Sequence, residues 1–207
     1  MKKQCSLPSN SQTSLEKKKK QIKEFKLCQA DPAYFINNYC KIINVKKEGE
    51  KIFPFKLWPH QVELLNEIKQ FNDIFVEKSR ELGISWFVMA FELHQALFTN
   101  YFTALNISRK ESEVEDTGKT FHSLMGRIDF MYQRLPEWLK FQIRNPKLSF
   151  QVYHTHSIIK GESANKDAGR DTQYKMIFVD EAAHIDVFPE MWKGIRNSTD
   201  CLVINSL

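Results

Sequence analysis

Residues 177 to 184 read Ile-Phe-Val-Asp-Glu-Ala-Ala-His, an apolar run that stops on two adjacent carboxylates. Unbroken apolar runs of this kind are how strands buried on both faces of a parallel sheet are written. Well upstream a second such run, Ile74-Phe75-Val76, opens into Glu77-Lys78-Ser79-Arg80-Glu81-Leu82-Gly83-Ile84-Ser85. A helix follows that is apolar on nearly every side, from Trp86 through Phe87, Val88, Met89, Phe91, Leu93, Ala96 and Leu97 to Phe98. A helix hydrophobic all round belongs in a core, here packed under a sheet. Strand, loop and buried helix, then a strand ending in acids, predict an α/β chain with both loops at the same end of the sheet.

That arrangement has a chemistry. Asp180 and Glu181 at the end of a buried strand can hold magnesium and activate a water, while the Ser85-headed helix offers free N–H groups and a partial positive charge to phosphates. Taken alone, two acids at a strand end are more often a solvated terminus. The upstream loop also departs from the G-x-x-x-x-G-K-[ST] pattern, because Ile84 stands where that pattern has lysine. A third element joins them: Phe55-Lys56-Leu57-Trp58-Pro59-His60-Gln61 precedes the first strand, with Pro59 opening an amphipathic helix that carries Val62, Leu64, Leu65, Ile68 and Phe71.

Trp58-Pro59-His60-Gln61, Lys78 to Ser85, and Val179-Asp180-Glu181-Ala182-Ala183-His184 together resemble the N-terminal ATPase half of the large terminase subunit of tailed bacteriophages. The resemblance runs from about Asp31 to the end of the chain. It includes Ile107-Ser108-Arg109-Lys110-Glu111-Ser112, Leu135-Pro136-Glu137-Trp138-Leu139 and Ala164-Asn165-Lys166-Asp167-Ala168-Gly169-Arg170.

The resemblance implies a P-loop NTPase-type three-layer sandwich that binds ATP and Mg2+. It places Ser85 and Asp180 on the metal and makes Glu181 the residue that activates water. The segment Lys78, Ser79, Arg80, Glu81, Leu82, Gly83, Ile84 and Ser85 would cradle the phosphates, with Lys78 or Arg80 replacing the absent lysine; Arg80 would offer a bidentate fork and Lys78 a point charge. Gln61 would pair with the adenine edge and Trp58 would pack near the ring. Arg170, eleven residues before Glu181, matches an arginine that reaches a neighbouring subunit's site. The family commonly has Arg-Gly there, whereas this chain has Arg170-Asp171. Implied partners are double-stranded DNA, a homo-oligomeric ring, the portal protein and the small terminase subunit, in the cytoplasm of a bacterial host.

The bulk properties agree with this expectation. At 207 residues and 42% hydrophobic the chain can bury one sizeable core. Cys5, Cys28, Cys40 and Cys201 form no C-x-x-C pair, which argues against a zinc site or a disulfide framework. No apolar run reaches membrane-spanning length and the N-terminus lacks the apolar core of a signal peptide. The net charge of +5 is compatible with a polyanionic partner without demonstrating one.

Residues 1–28, with Lys17-Lys18-Lys19-Lys20, read as a disordered, solubilising leader. Residues 29–72 read as a helix from Asp31-Pro32 to Ile42, a two-stranded ribbon around Glu48-Gly49-Glu50, and the base-recognition segment; residues 73–207 form the ATPase core. Within that core Val114, Thr117, Phe121, Leu124, Ile128, Met131 and Leu135 predict one long helix. Residues 140–160 predict a hairpin about Asn145-Pro146-Lys147 and a further strand, with His154 and His156 on one face as ordinary surface histidines. The family continues past Leu202-Val203-Ile204 into a coupling segment, another core strand and a nuclease domain, so the sheet is expected to be incomplete at Leu207 and the isolated chain marginally stable. Two other readings are a helicase-like DNA-dependent ATPase, whose acid pair has its histidine one position earlier than His184, and a vestigial prophage fragment without activity.

Overall fold

The computed structural model describes residues 10–46, 48–49, 51–77, 82–170 and 172–206. Nine strands and seven α-helices are found among them: α1 (Asn10–Ala30), α2 (Pro32–Tyr39), β1 (Lys41–Ile43), β2 (Ile52–Pro54), α3 (Pro59–Ile68), β3 (Asp73–Glu77), α4 (Ile84–Phe98), β4 (Thr103–Ser108), α5 (Glu111–Val114), α6 (Leu124–Gln133), β5 (Ile143–Arg144), β6 (Ser149–Val152), β7 (Ser157–Ser163), β8 (Met176–Val179), α7 (Phe188–Ile195) and β9 (Leu202–Ser206). β1 and β2 form the small antiparallel ribbon. The other seven strands form one sheet in the order β3-β9-β8-β4-β7-β6-β5. Strands β3, β9, β8, β4 and β7 run parallel, and β6 and β5 extend the sheet antiparallel.

The apolar strands serve two cores because successive side chains point to opposite faces. Ala104, Met176, Phe178 and Val203 face one core with the buried sides of α4 and α6. Leu105, Ile107, Ile177, Val179, Leu202 and Ile204 face the other, against Met191 and Ile195 of α7. The result is the three-layer α/β sandwich expected from the sequence, with a mostly parallel sheet. β3 pairs only with β9 among the described residues, and Phe75 on it is 64% exposed.

Several local expectations are corrected. The leader is not disordered throughout: α1 spans Asn10–Ala30. Lysine, glutamate and glutamine are good helix formers, and the helix is docked at its far end. Glu24 Oε2 accepts from Tyr34 at 2.8 Å and Tyr39 at 2.7 Å, and the Phe25 ring meets Phe98 edge-on at 5.4 Å. α2 starts as expected, capped by Asp31 Oδ1 accepting from Ala33 N at 2.9 Å, but it ends at Tyr39 and Ile42 belongs to the ribbon.

The long helix expected from Val114 to Leu135 is two helices, α5 and α6, separated by a turn. Asp116 accepts from Thr120 N at 2.7 Å, Thr120 Oγ1 at 2.6 Å and Ser123 Oγ at 3.0 Å, which competes with helical bonding through the same segment. Ser123 then caps α6 by accepting from Gly126 N at 3.3 Å. The three-and-four periodicity is satisfied because both pieces still face one core. His154 and His156 lie in the turn between β6 and β7, where His154 Nε2 bonds Leu97 O at 2.9 Å and His156 stacks on Tyr101. Among the described residues no group of three or more His, Cys, Asp or Glu side chains is placed to hold a metal ion.

The turn makes a prediction. A Cβ on Gly126 would lie 1.8 Å from Thr120 O, a backbone atom. Helix propensity alone favours alanine there by about 1 kcal/mol. Overpacking against the backbone should reverse the sign, so Gly126→Ala is expected to cost about 2–3 kcal/mol and lower Tm by roughly 5–10 °C. An unchanged or raised melting temperature would show that the turn yields freely.

Candidate active site

The site lies at the C-terminal ends of β3, β8 and β9. Gly83 leads into α4 with φ 68°, and a Cβ on it would approach Gln61 Nε2 to 3.0 Å. Both the left-handed backbone and the close approach explain why glycine stands there. Ser85 in the first turn of α4 donates from Oγ to Asp180 Oδ2 at 2.9 Å. Asn205 Nδ2, near the end of β9, donates to Asp180 Oδ1. Asp180 is only 8% exposed, so these two donors are what make its burial tolerable. The Asn205 Oδ1 atom beside it is buried with no partner among the described residues.

Glu181 follows in the left-handed region, φ 53° and ψ 41°. A residue with a Cβ resists that conformation, and such strain clusters where a side chain is held for a purpose. The His184 N–H bonds back to Glu181 O at 2.9 Å, closing the short turn Ala182–His184 after the acids.

Gln61 is buried, and its amide is committed to the chain. Its Oε1 accepts from Trp58 N at 3.1 Å, and its Nε2 donates to Leu82 O and Gly83 O, each at 3.2 Å. His60 Nε2 also meets Leu82 O at 3.0 Å. The Trp58-Pro59-His60-Gln61 segment therefore braces the loop ahead of α4, with Trp58 48% exposed beside it. Of the expected phosphate-binding segment, Leu82, Gly83, Ile84 and Ser85 are placed here. Lys78, Ser79, Arg80 and Glu81 lie outside the described residues.

Arg170 is placed on the α7 side of the sheet. Its Nη1 pairs with Asp167 Oδ1 at 2.8 Å and its stem lies over Gly194, so close that a Cβ there would meet Nε at 2.5 Å. Asp171 lies outside the described residues. The structure does not bring Arg170 together with Ser85, Asp180 and Asn205 in any described contact.

Two neighbours of these residues were not singled out from the sequence. Asn205 closes an apolar strand with a polar side chain, the same kind of signal that marked Asp180. Arg127 on α6 stacks its guanidinium over the Trp86 ring at 5.6 Å, one residue past Ser85. Burial pulls its pKa below the ordinary arginine value, while the charges of Asp180 and Glu181 act in the opposite direction. No local pattern in the chain singles it out.

The residues fit a hydrated magnesium ion. A serine hydroxyl beside a carboxylate, with an unpartnered amide oxygen next to it, offers oxygen acceptors to a cation that keeps several waters and takes its remaining ligands from phosphate.

No family model matches the sequence. Among solved structures, the HK97 bacteriophage large terminase superposes with a TM-score of 0.63 at 11% identity, covering 86% of this chain and 37% of that one. A point mutant of the Thermus phage P74-26 large terminase ATPase domain superposes with a TM-score of 0.53 at 15% identity, covering 73% of this chain and 65% of that one. A large terminase from a thermophilic bacteriophage, in complex with ADP, gives 0.50 at 9% identity, covering 72% and 39%. The chain thus spans about two-fifths of the two large terminases and two-thirds of the ATPase domain. Its fold is that of the ATPase domain of phage large terminases, a P-loop NTPase-like sandwich.

Proposed function

We propose that this chain is the ATPase motor domain of a phage DNA-packaging terminase, hydrolysing ATP to drive duplex DNA into a procapsid. The observation that carries the reading is the Ser85–Asp180 hydrogen bond of 2.9 Å, which joins the head of the buried helix to the end of the acidic strand. Those are the two groups an ATPase of this fold needs on its metal. The ADP complex of the thermophilic phage's large terminase supports nucleotide as the ligand.

In this reading Ser85 and Asp180 hold Mg2+, which when bound neutralises charge on the phosphate oxygens. Leu82 to Ser85 present N–H groups at the head of α4, with Lys78 or Arg80 adding positive charge. Glu181 accepts the proton of a water whose oxygen attacks the terminal phosphorus; the bond to the bridging oxygen breaks and ADP leaves. Arg170 acts on a neighbouring subunit's site within a homo-oligomeric ring, and Trp58 packs beside the base. Double-stranded DNA, the portal protein and the small terminase subunit are the proposed partners.

Calorimetric titration with ATP, with and without magnesium, tests this directly. The chain is expected to bind ATP in a magnesium-dependent manner, and Ser85→Ala to weaken that component by roughly tenfold or more. Magnesium-independent binding, or none, would remove the assignment of Ser85 and Asp180.

A further inference from the structure

We infer that Arg127 is a further cation of the nucleotide site, acting within its own subunit to hold the terminal phosphate of ATP. This rests on the ATPase reading above and adds a residue to it.

Arg127 is fixed from three sides. Its Nε donates to Phe121 O at 3.1 Å, its Nη2 donates to His122 O at 3.3 Å, and its plane lies over Trp86. Trp86 is itself held edge-on by Phe130 at 5.6 Å. Both backbone carbonyls belong to the turn that breaks the expected long helix, so the turn that ends at Ser123 also aims this side chain. Nη1 has no hydrogen-bond partner among the described residues, and none of the ion pairs among them includes Arg127. Arg127 is largely buried, and its charge feels both Asp180 and Glu181.

An arginine in this position has an unused donor corner, a rigid mounting and two acids nearby with which it forms no ion pair. Guanidinium forks are suited to phosphate oxygens. Arg127 rests against Trp86 in the first turn of α4, one residue past Ser85, so the cation lies beside the proposed phosphate site within its own subunit. Arg109 makes the contrast: it also feels Glu181, but its Nη2 is taken by Glu113 at 2.8 Å.

A phosphate contact predicts discrimination between ATP and ADP, which a merely structural arginine would not produce. Magnesium-ATP and magnesium-ADP affinities are measured by calorimetry for the wild-type chain and for Arg127→Ala, Arg127→Gln and Arg127→Lys. Glutamine keeps an N–H for the turn carbonyls without charge, and lysine keeps charge without the fork. Alanine and glutamine are expected to weaken ATP by roughly ten- to a hundredfold, with lysine losing less, while ADP changes by less than about threefold in all three. Equal losses for ATP and ADP, or an unchanged ATP affinity, overturn the role of Arg127 while leaving the ATPase reading intact. A wild-type chain that binds neither nucleotide overturns both. If alanine fails to fold, the glutamine and lysine pair carries the comparison.

Discussion

Glu181→Gln is expected to lower ATP turnover by roughly 10²- to 10⁴-fold, the range a positioned general base supplies, while leaving magnesium-ATP affinity within about threefold. Glutamine keeps the length of the side chain and loses only the ability to take a proton. Asp180→Asn should behave differently and weaken both binding and turnover, because Asp180 is tied to Ser85 and Asn205 rather than free to act on water. A second variant uses the backbone. Glu181 sits at φ 53°, a conformation that costs a residue with a Cβ about 1 kcal/mol or more and costs glycine little. Glu181→Gly should therefore be inactive yet melt no lower than the wild type. Loss of turnover accompanied by loss of stability would show that Glu181 is structural. Turnover unchanged in Glu181→Gln would end its assignment as the base.

The parts of this site that were legible in the sequence are those written locally. A buried strand announces itself by its apolar run, and the polar residue that closes it is conspicuous, which is why Asp180 and Glu181 could be placed before any fold was known. Gly83 and Ser85 were legible because a loop between an apolar strand and an all-apolar helix has few alternatives. What failed depends on competition between local and distant partners. Val114 to Leu135 has the right periodicity for one helix, yet the Asp116 carboxylate captures three donors within the next seven residues and breaks it. The lysine-rich leader looks too polar to order, but a helix needs only one docked end, and Phe25 and Glu24 provide it. Gln61 was expected to face a base, and the structure turns its amide onto Leu82 and Gly83. Arg127 had no signal at all, since what makes it interesting is a stacking partner and two carbonyls brought together by the turn.

The pH dependence of stability should be dominated in one window by a residue outside the site. Glu92 on α4 is fully buried, and one of its oxygens accepts from Asn106 Nδ2 on β4 at 2.7 Å. Glu92 Oε1 and Asn106 Oδ1 are both buried acceptors without a donor among the described residues. A proton on the carboxyl supplies that donor, making an acid–amide pair in place of a buried charge and two orphans. Burial accordingly pushes the Glu92 pKa from 4.5 up to about 8, and the Asn106 hydrogen bond opposes this only in part. Because the folded pKa is raised, the stability linked to this proton is fully present below about pH 4.5 and is lost as pH rises through about 8. A shift of that size corresponds to at most ~5 kcal/mol. His94 on the same helix runs the other way: burial lowers its pKa from 6.5 to about 4, so its contribution is present above about pH 6.5 and is lost as pH falls through about 4. Glu92→Gln isolates the first effect, because a glutamine amide can donate to Asn106 Oδ1 and accept from Nδ2 at every pH. Denaturant unfolding at pH 5, 7 and 9 should find the variant close to wild type at pH 5 and more stable by about 2 kcal/mol or more at pH 9. A difference between the two proteins that does not change with pH would mean that Glu92 is charged in the core, stabilised by something other than Asn106.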